Sequence, residues 1–294
     1  MKKTILLLLA LLFILTNRCF ALDWKRLHEK ADQQSLAQSL EAFRQMPASM
    51  ENSYVLGLAY LNQHRDKEAE GAFKNILEND PSVFEAKWGI AEVLRRRHKT
   101  TEARNMLNEI LKGHPDFYPA VISLAYVKYI QMDFPASARL ALKVIEAGRN
   151  KVDLSNYTRA FCIYAGAKGM IAHYGGPLSK LINGVAAKPN LDKAEKLQPN
   201  SPGVLFGLGS FYLLAPGLAG GDKSKSEEYL KKAIKVDPNF ADAYVRLAQL
   251  YKIKGNTVLF KKYFSKALEL DPGNELALDA QSGACKYICV GGQE

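Results

Sequence analysis

Prolines 47, 81 and 115 stand 34 residues apart, and so do Pro238 and Pro272. A fixed period of this length restricts the fold more than any other feature, because each period must be one structural unit stacked on the next. Within residues 239–272, two amphipathic stretches flank a Gly255-Asn256 turn. The first carries Ala243, Tyr244, Leu247, Ala248 and Tyr251, and the second Phe260, Phe264, Ala267 and Leu268. That three-and-four spacing belongs to helices with one buried face. Leu270-Asp271-Pro272-Gly273 ends the second helix, since proline has no backbone hydrogen to donate and clashes with the preceding turn. One hairpin of this size cannot cover its own apolar face, so it requires neighbours.

The same residue types recur at the same distances. Leu56, Gly57, Tyr60, Ala69 and Phe73 precede Pro81 as Leu247, Ala248, Tyr251, Phe260 and Phe264 precede Pro272. Ile90, Ala91, Leu94, Ala103 and Leu107 do so before Pro115. This pattern resembles the tetratricopeptide repeat family. The resemblance implies an all-α superhelical solenoid of about seven stacked antiparallel helix hairpins. Ile76, Ile110 and Phe260 stand where the family prefers a small residue, so packing departs from the family there. The expected organisation is an N-terminal cap hairpin over 22–47, three repeats over 48–150, an atypical long hairpin over 151–199, two repeats over 200–272 and a cap helix over 273–294. These units form one elongated domain. Valine and isoleucine rarely alternate with polar residues, so no strand is expected.

Lys2 and Lys3 precede an apolar run over residues 5–15, too short to span a bilayer comfortably and suited to the core of a signal peptide. Cys19-Phe20-Ala21 is an acceptable cleavage site, which would start the mature chain at Leu22. Export to a bacterial periplasm follows. Cys19 raises the alternative of a lipid anchor to the outer membrane, for which Asn17 and Arg18 are poor neighbours. No later run is long enough for a transmembrane helix.

The formal net charge of +10 falls to +7 without Lys2, Lys3 and Arg18. In an exported chain such a surface meets anionic polymers, headgroups or acidic partners, not nucleic acid. No aromatic residues interleave with the cations as a nucleic-acid groove needs. The densest run, Arg95-Arg96-Arg97-His98-Lys99, reads either as a solvated helix end or as a contact for an acidic partner. Three cysteines follow the leader. Cys285 and Cys289 are four apart, on one side of a helix, and could pair, or one could reach Cys162.

The period breaks in the middle. Residues 157–171 read as one long helix. Tyr174-Gly175-Gly176-Pro177 turns the chain, and a further helix runs over 178–187 until Lys188-Pro189-Asn190 interrupts it. A second departure is the lengthened turn at residues 215–222, Ala-Pro-Gly-Leu-Ala-Gly-Gly-Asp. Glycines there permit positive φ, Asp222 caps the next helix and Pro177 opens another; a loop of this kind could also hold an anion. Together with the leader, these two turns look like the T component of TRAP-type solute transport systems, over roughly residues 150–285. That resemblance implies docking to a periplasmic solute-binding protein, or holding a small hydrophobic ligand.

The first helices of successive hairpins line a concave groove. Residues one step off the packing stripe face it: Tyr54, then Trp88, Glu92 and Arg95, then Tyr126 and Tyr129, then Phe206, Gln249 and Lys252. Exposed aromatics beside charges suit a peptide or partner helix, although Trp88 and the tyrosines could equally complete the core between hairpins. No catalytic constellation is present, and neither a cofactor nor a metal is expected. His64 and His98, 34 residues apart, fall in equivalent turns, which are ordinarily exposed and inert. The expected activity is therefore binding, not catalysis.

Overall fold

The computed structural model describes residues 22–288. The expected leader with Cys19, and Cys289, lie outside the described residues. Fifteen α-helices and one 3-10 turn make up the rest, with no strand among the described residues. Helices α1 (Trp24–Gln33) and α2 (Leu36–Gln45) come first. Six hairpins follow: α3 (Met50–Asn62) with α4 (Asp66–Asn79), α5 (Phe84–Arg96) with α6 (Thr100–Gly113), and α7 (Tyr118–Ile130) with α8 (Phe134–Ala147). Then come α9 (Leu154–Tyr174) with α10 (Pro177–Leu197), α11 (Pro202–Leu214) with α12 (Lys223–Val236), and α13 (Ala241–Ile253) with α14 (Thr257–Leu270); α15 (Glu275–Ser282) is last. The odd-numbered helices from α3 to α13 pack on one another as an inner row. This is the helical solenoid that the 34-residue period implies.

Small residues let the rows approach. The Phe73 ring of α4 lies where side chains at Gly57 of α3 and Gly89 of α5 would begin, 2.6 and 2.5 Å from ideal Cβ positions. Phe73 is fully buried there. Helix starts are capped by side-chain oxygens: Ser49 accepts from the Asn52 amide at 3.3 Å, and Asp222 from Ser224 and Lys225 at 2.9 and 3.0 Å. Gly221 is required in that turn, because a Cβ would lie 1.9 Å from the Ala215 carbonyl oxygen.

Three expectations change. The last helix ends at Ser282, so Cys285, at φ 52°, lies beyond it and not on the side of a helix. Pro189 does not interrupt its helix; α10 runs through it to Leu197. Pro189 is exposed, so water can take the place of the missing amide donor, and the Asn190 amide bonds the Ala186 carbonyl at 2.7 Å beside it. Nor do α1 and α2 form a cap hairpin. Helix α2 packs on α3 as an outer helix, while α1 leaves it and packs on α3 and α9.

The solenoid also closes on itself. His64 Nε2 bonds Asp237 at 2.8 Å and His98 Nε2 bonds Asp271 at 2.8 Å. The two contacts span the same 173 residues of sequence. The turns of the first two hairpins thus meet, one period apart, the loops that end the fifth and sixth.

Candidate functional site

The concave face is where the inner helices converge, and helix α1 and residues 285–288 fill much of it. Helix α1 lies along the row, its Leu27 fully buried. His28 bonds the Tyr54 hydroxyl at 2.9 Å, and its ring lies tilted against that of Trp88 with centres 5.0 Å apart. Asn156 donates to His28 Nδ1 at 3.2 Å, so Nε2 carries the hydrogen and donates to Tyr54. Burial lowers the His28 pKa and keeps the ring neutral. Further along α1, Trp24 meets Phe117 edge-on at 5.5 Å, and Ser155 donates to Asp32 at 2.6 Å. Burial raises the Asp32 carboxyl to about 6.

Residues 285–288 fill the far end. Arg246 donates to the carbonyl oxygens of Tyr287 and Ile288 at 2.8 and 2.9 Å, and to Gln249 at 2.8 Å. Tyr287 stacks on Tyr129 with ring centres 6.2 Å apart, and its hydroxyl donates to the Ile130 carbonyl. Asp279 accepts from the amides of Lys286 and Tyr287 at 2.9 Å each.

Between these plugs sits a charged knot. Arg95 bonds Glu92 at 3.0 Å, Arg159 approaches the same carboxylate at 3.7 Å, and the Arg95 guanidinium covers the Tyr126 ring at 4.6 Å. Burial alone would raise the Glu92 carboxyl, but the two arginines outweigh it and bring it to about 2.

Most of the residues expected to line the groove are covered. Tyr54 (0% exposed), Trp88 (4%), Glu92 (5%) and Gln249 (4%) belong to the core. Trp88 spends its indole N–H on Ser123 at 3.0 Å. Arg95, Tyr126 and Tyr129 are tied into the contacts just described. Phe206 is half-buried against Phe240 at 5.3 Å, and Lys252 is the one exposed member of the set. The aromatic stripe completes an interior that includes α1, a helix whose destination its own polar sequence does not reveal.

The basic run is answered within the chain. Arg95 bonds Glu92, Arg96 bonds Asp66 at 2.6 Å, Arg97 bonds Glu70 at 2.6 Å, and Lys99 lies 3.5 Å from Glu102. His98 bridges Asp271 and Glu275 at 2.8 and 2.9 Å. Bonds to Asp271 and Glu275 raise the His98 pKa to about 10, so the ring is an imidazolium. The turns expected to be inert are therefore clasps. The pairing of His64 and His98 with Asp237 and Asp271 was present in the sequence as two equal spacings.

The α9–α10 hairpin offers a different surface. Leu178, Leu181, Ile182 and Val185 are 69%, 67%, 58% and 64% exposed, one stripe at i, i+3, i+4 and i+7. Both helices have 21 residues against 13 in α11, so the hairpin outreaches its neighbour by about 12 Å. Leu218, in the lengthened turn after α11, is fully exposed. The expected pair of Cys285 and Cys289 falls partly outside the described residues; Cys285 is disulfide-bonded and Cys162 is a free thiol that burial raises to about 12. No group of ligands suited to a metal ion occurs among the described residues, and none of their helices is long and apolar enough to cross a membrane.

Tetratricopeptide-repeat family models match residues 54–116 and 229–258. A solved tetratricopeptide repeat protein from Parabacteroides merdae superposes with a TM-score of 0.51 at 16% identity, over 87% of this chain and 96% of that one. The APC/C hetero-tetramer Cut9–Hcn1 gives 0.50 at 13% identity, over 85% of this chain and 52% of that one. At these identities the likeness is one of fold. No curated protein matches the chain. The chain carries tetratricopeptide repeats over those two stretches, and its fold is a helical solenoid of the same kind.

Proposed function

We propose that the chain is an exported periplasmic scaffold that holds a protein partner, and that the partner seats on the projecting end of the α9–α10 hairpin. The repeat fold supports a protein-interaction scaffold. The observation that carries the seat is the apolar stripe of Leu178, Leu181, Ile182 and Val185, which faces solvent on a hairpin longer than its neighbours. A stripe of this kind on a folded surface is a docking face for an apolar counterpart. The concave groove is the weaker seat, because α1 and residues 285–288 already cover Tyr54, Trp88 and Gln249.

A second reading, a T-component-like accessory that docks a solute-binding protein or holds a small hydrophobic ligand, draws support from the same place. The Tyr174-Gly175-Gly176-Pro177 turn opens directly into the stripe. Lys188 of α10 lies 5.6 Å from the Tyr212 ring of α11, so the lengthened turn leaves α11 toward the projecting part of α10.

Affinity capture from an envelope extract tests the seat, with Leu181→Glu/Val185→Glu beside the parent. The expected result is one stoichiometric protein retained by the parent and lost from a double variant that keeps its helical circular dichroism. Retention by the variant rejects the seat, and recovery of the protein in the cytoplasmic fraction rejects export. A captured solute-binding protein selects the second reading.

A further inference from the structure

Glu85, at the start of α5, is 1% exposed, and neither carboxylate oxygen has a hydrogen-bond partner among the described residues. No ion pair reaches it among the described residues. An unpaired carboxylate in such a place is costly, and burial raises its pKa to about 7. Tyr54 of α3 is the titratable group it acts on, and Asp153 and Glu92 bear on the same hydroxyl, so the surroundings are already negative. His28 of α1, which bonds that hydroxyl, is neutral.

Two backbone donors point at Glu85, its own N–H and that of Leu22, and each comes close without completing a bond. Leu22 is itself buried, in the cluster with Val83, Ala86 and Phe117. It is also the residue that the Cys19-Phe20-Ala21 motif places first after leader cleavage. Sequence and packing thus meet at one atom, the nitrogen of Leu22.

We propose that this nitrogen is held as a free α-ammonium: hydrolysis of the Ala21–Leu22 bond gives Leu22 a charged amino terminus that pairs with Glu85 inside the fold. In the hydrolysis the water oxygen goes to the new Ala21 carboxylate. The Leu22 nitrogen leaves as an amine and takes a proton. One amide N–H becomes three charged donors beside an orphaned acceptor, so processing converts a destabilising carboxylate into half of an ion pair. The pair fixes the start of α1, and through α1 the filling of the concave face. The uncut chain lacks this support and is the less stable form, which suits a precursor that must cross a membrane unfolded. The inference rests on the export reading above.

The test begins with the full-length chain, produced in a bacterial host and recovered from the envelope. Mass spectrometry should find Leu22 first. Reductive methylation of the native protein at pH 7 should then modify the Leu22 α-amine about tenfold more slowly than in Glu85→Gln, because the pair holds the amine in its unreactive protonated form. A leader-free chain that keeps Ala21 serves where Glu85→Gln does not fold. Its displaced amine should react at the ordinary rate. In that chain Glu85 keeps its raised pKa, so stability falls as pH rises from its ordinary value of 4.5 through about 7. Its melting temperature should therefore lie below that of the Leu22-first protein at pH 8 and converge with it near pH 4. A mature terminus elsewhere overturns the cleavage reading, and the pair with it. A Leu22 terminus that reacts equally in parent and Glu85→Gln, or a melting difference that does not change with pH, overturns the pair and leaves export standing.

Discussion

The hairpins α3–α4 and α5–α6 and the hairpin α9–α10 solve the same packing problem to different degrees. In the first two, helices of 13 and 14 residues match their neighbours in length. Every apolar position on the stripe meets a partner: Phe73 fills the space left by Gly57 and Gly89, and Leu107 and Ile110 are buried likewise. In α9–α10 the inner part behaves the same way, with Phe161, Leu191 and Ala194 buried against α11. The outer turns have no neighbour of matching length, and their apolar stripe stays in water. The repeat period fixes the packed part. What exceeds the period is free of packing duty and is where a partner has room.

If this contrast is right, the largest stability loss comes from the sandwiched ring. Phe73→Ala should cost about 3–5 kcal/mol, because Gly57 and Gly89 have no side chains to collapse into the cavity. Urea unfolding measures it, and a loss below 1 kcal/mol would show that α3, α4 and α5 are not packed as described. Next comes the reverse change, Gly89→Ala. Its methyl group would begin 2.5 Å from the Phe73 ring, so the helices must separate, at roughly 1–3 kcal/mol.

The clasps rank third and carry a pH signature. His98 has a pKa raised to about 10 from an ordinary 6.5, so the folded state holds a proton that the unfolded chain releases. The stabilisation is complete below pH 6.5 and fades as pH rises toward 10. With the side chain 28% exposed, it should amount to roughly 1–2 kcal/mol. Thermal melts of the parent should fall over that interval, and those of His98→Gln should lack this component. Equal slopes in the two proteins would mean that the closure between α5 and α15 is not formed in solution.

The sequence announced the parts that obey a period and concealed those that depend on closure. The hairpins α3 to α8, α13 and α14 follow from residue spacing alone. The seats of Asp222 and Pro177 follow from cap chemistry. The histidine clasps do not: His64 and Asp237 are 173 residues apart, and only curvature summed over five hairpins brings them together. That Tyr54, Trp88, Glu92 and Gln249 are covered could not be foreseen from spacing. Helix α1 is short and polar, and reads as a cap until the cluster of His28, Tyr54, Trp88 and Asn156 shows what its buried side meets. The helix through Pro189 was hidden for a local reason, since an exposed carbonyl left without its donor costs little.

The smallest effect belongs to the outer turns of α10, and it sharpens the comparison most. Leu181→Ser/Val185→Ser changes two aliphatic positions, as Phe73→Ala changes one aromatic one, yet it should shift stability by no more than about 0.5 kcal/mol. Both side chains are already more than half in water, 67% and 64% exposed, so unfolding gains them little further hydration. Serine lowers helix propensity by a few tenths of a kcal/mol at Leu181 and changes it little at Val185, which sets the floor. A loss of 2 kcal/mol or more would mean that the stripe is covered in the folded protein, by a second copy or by another part of the chain. Sedimentation at two concentrations separates those cases, because only cover by a second copy weakens on dilution.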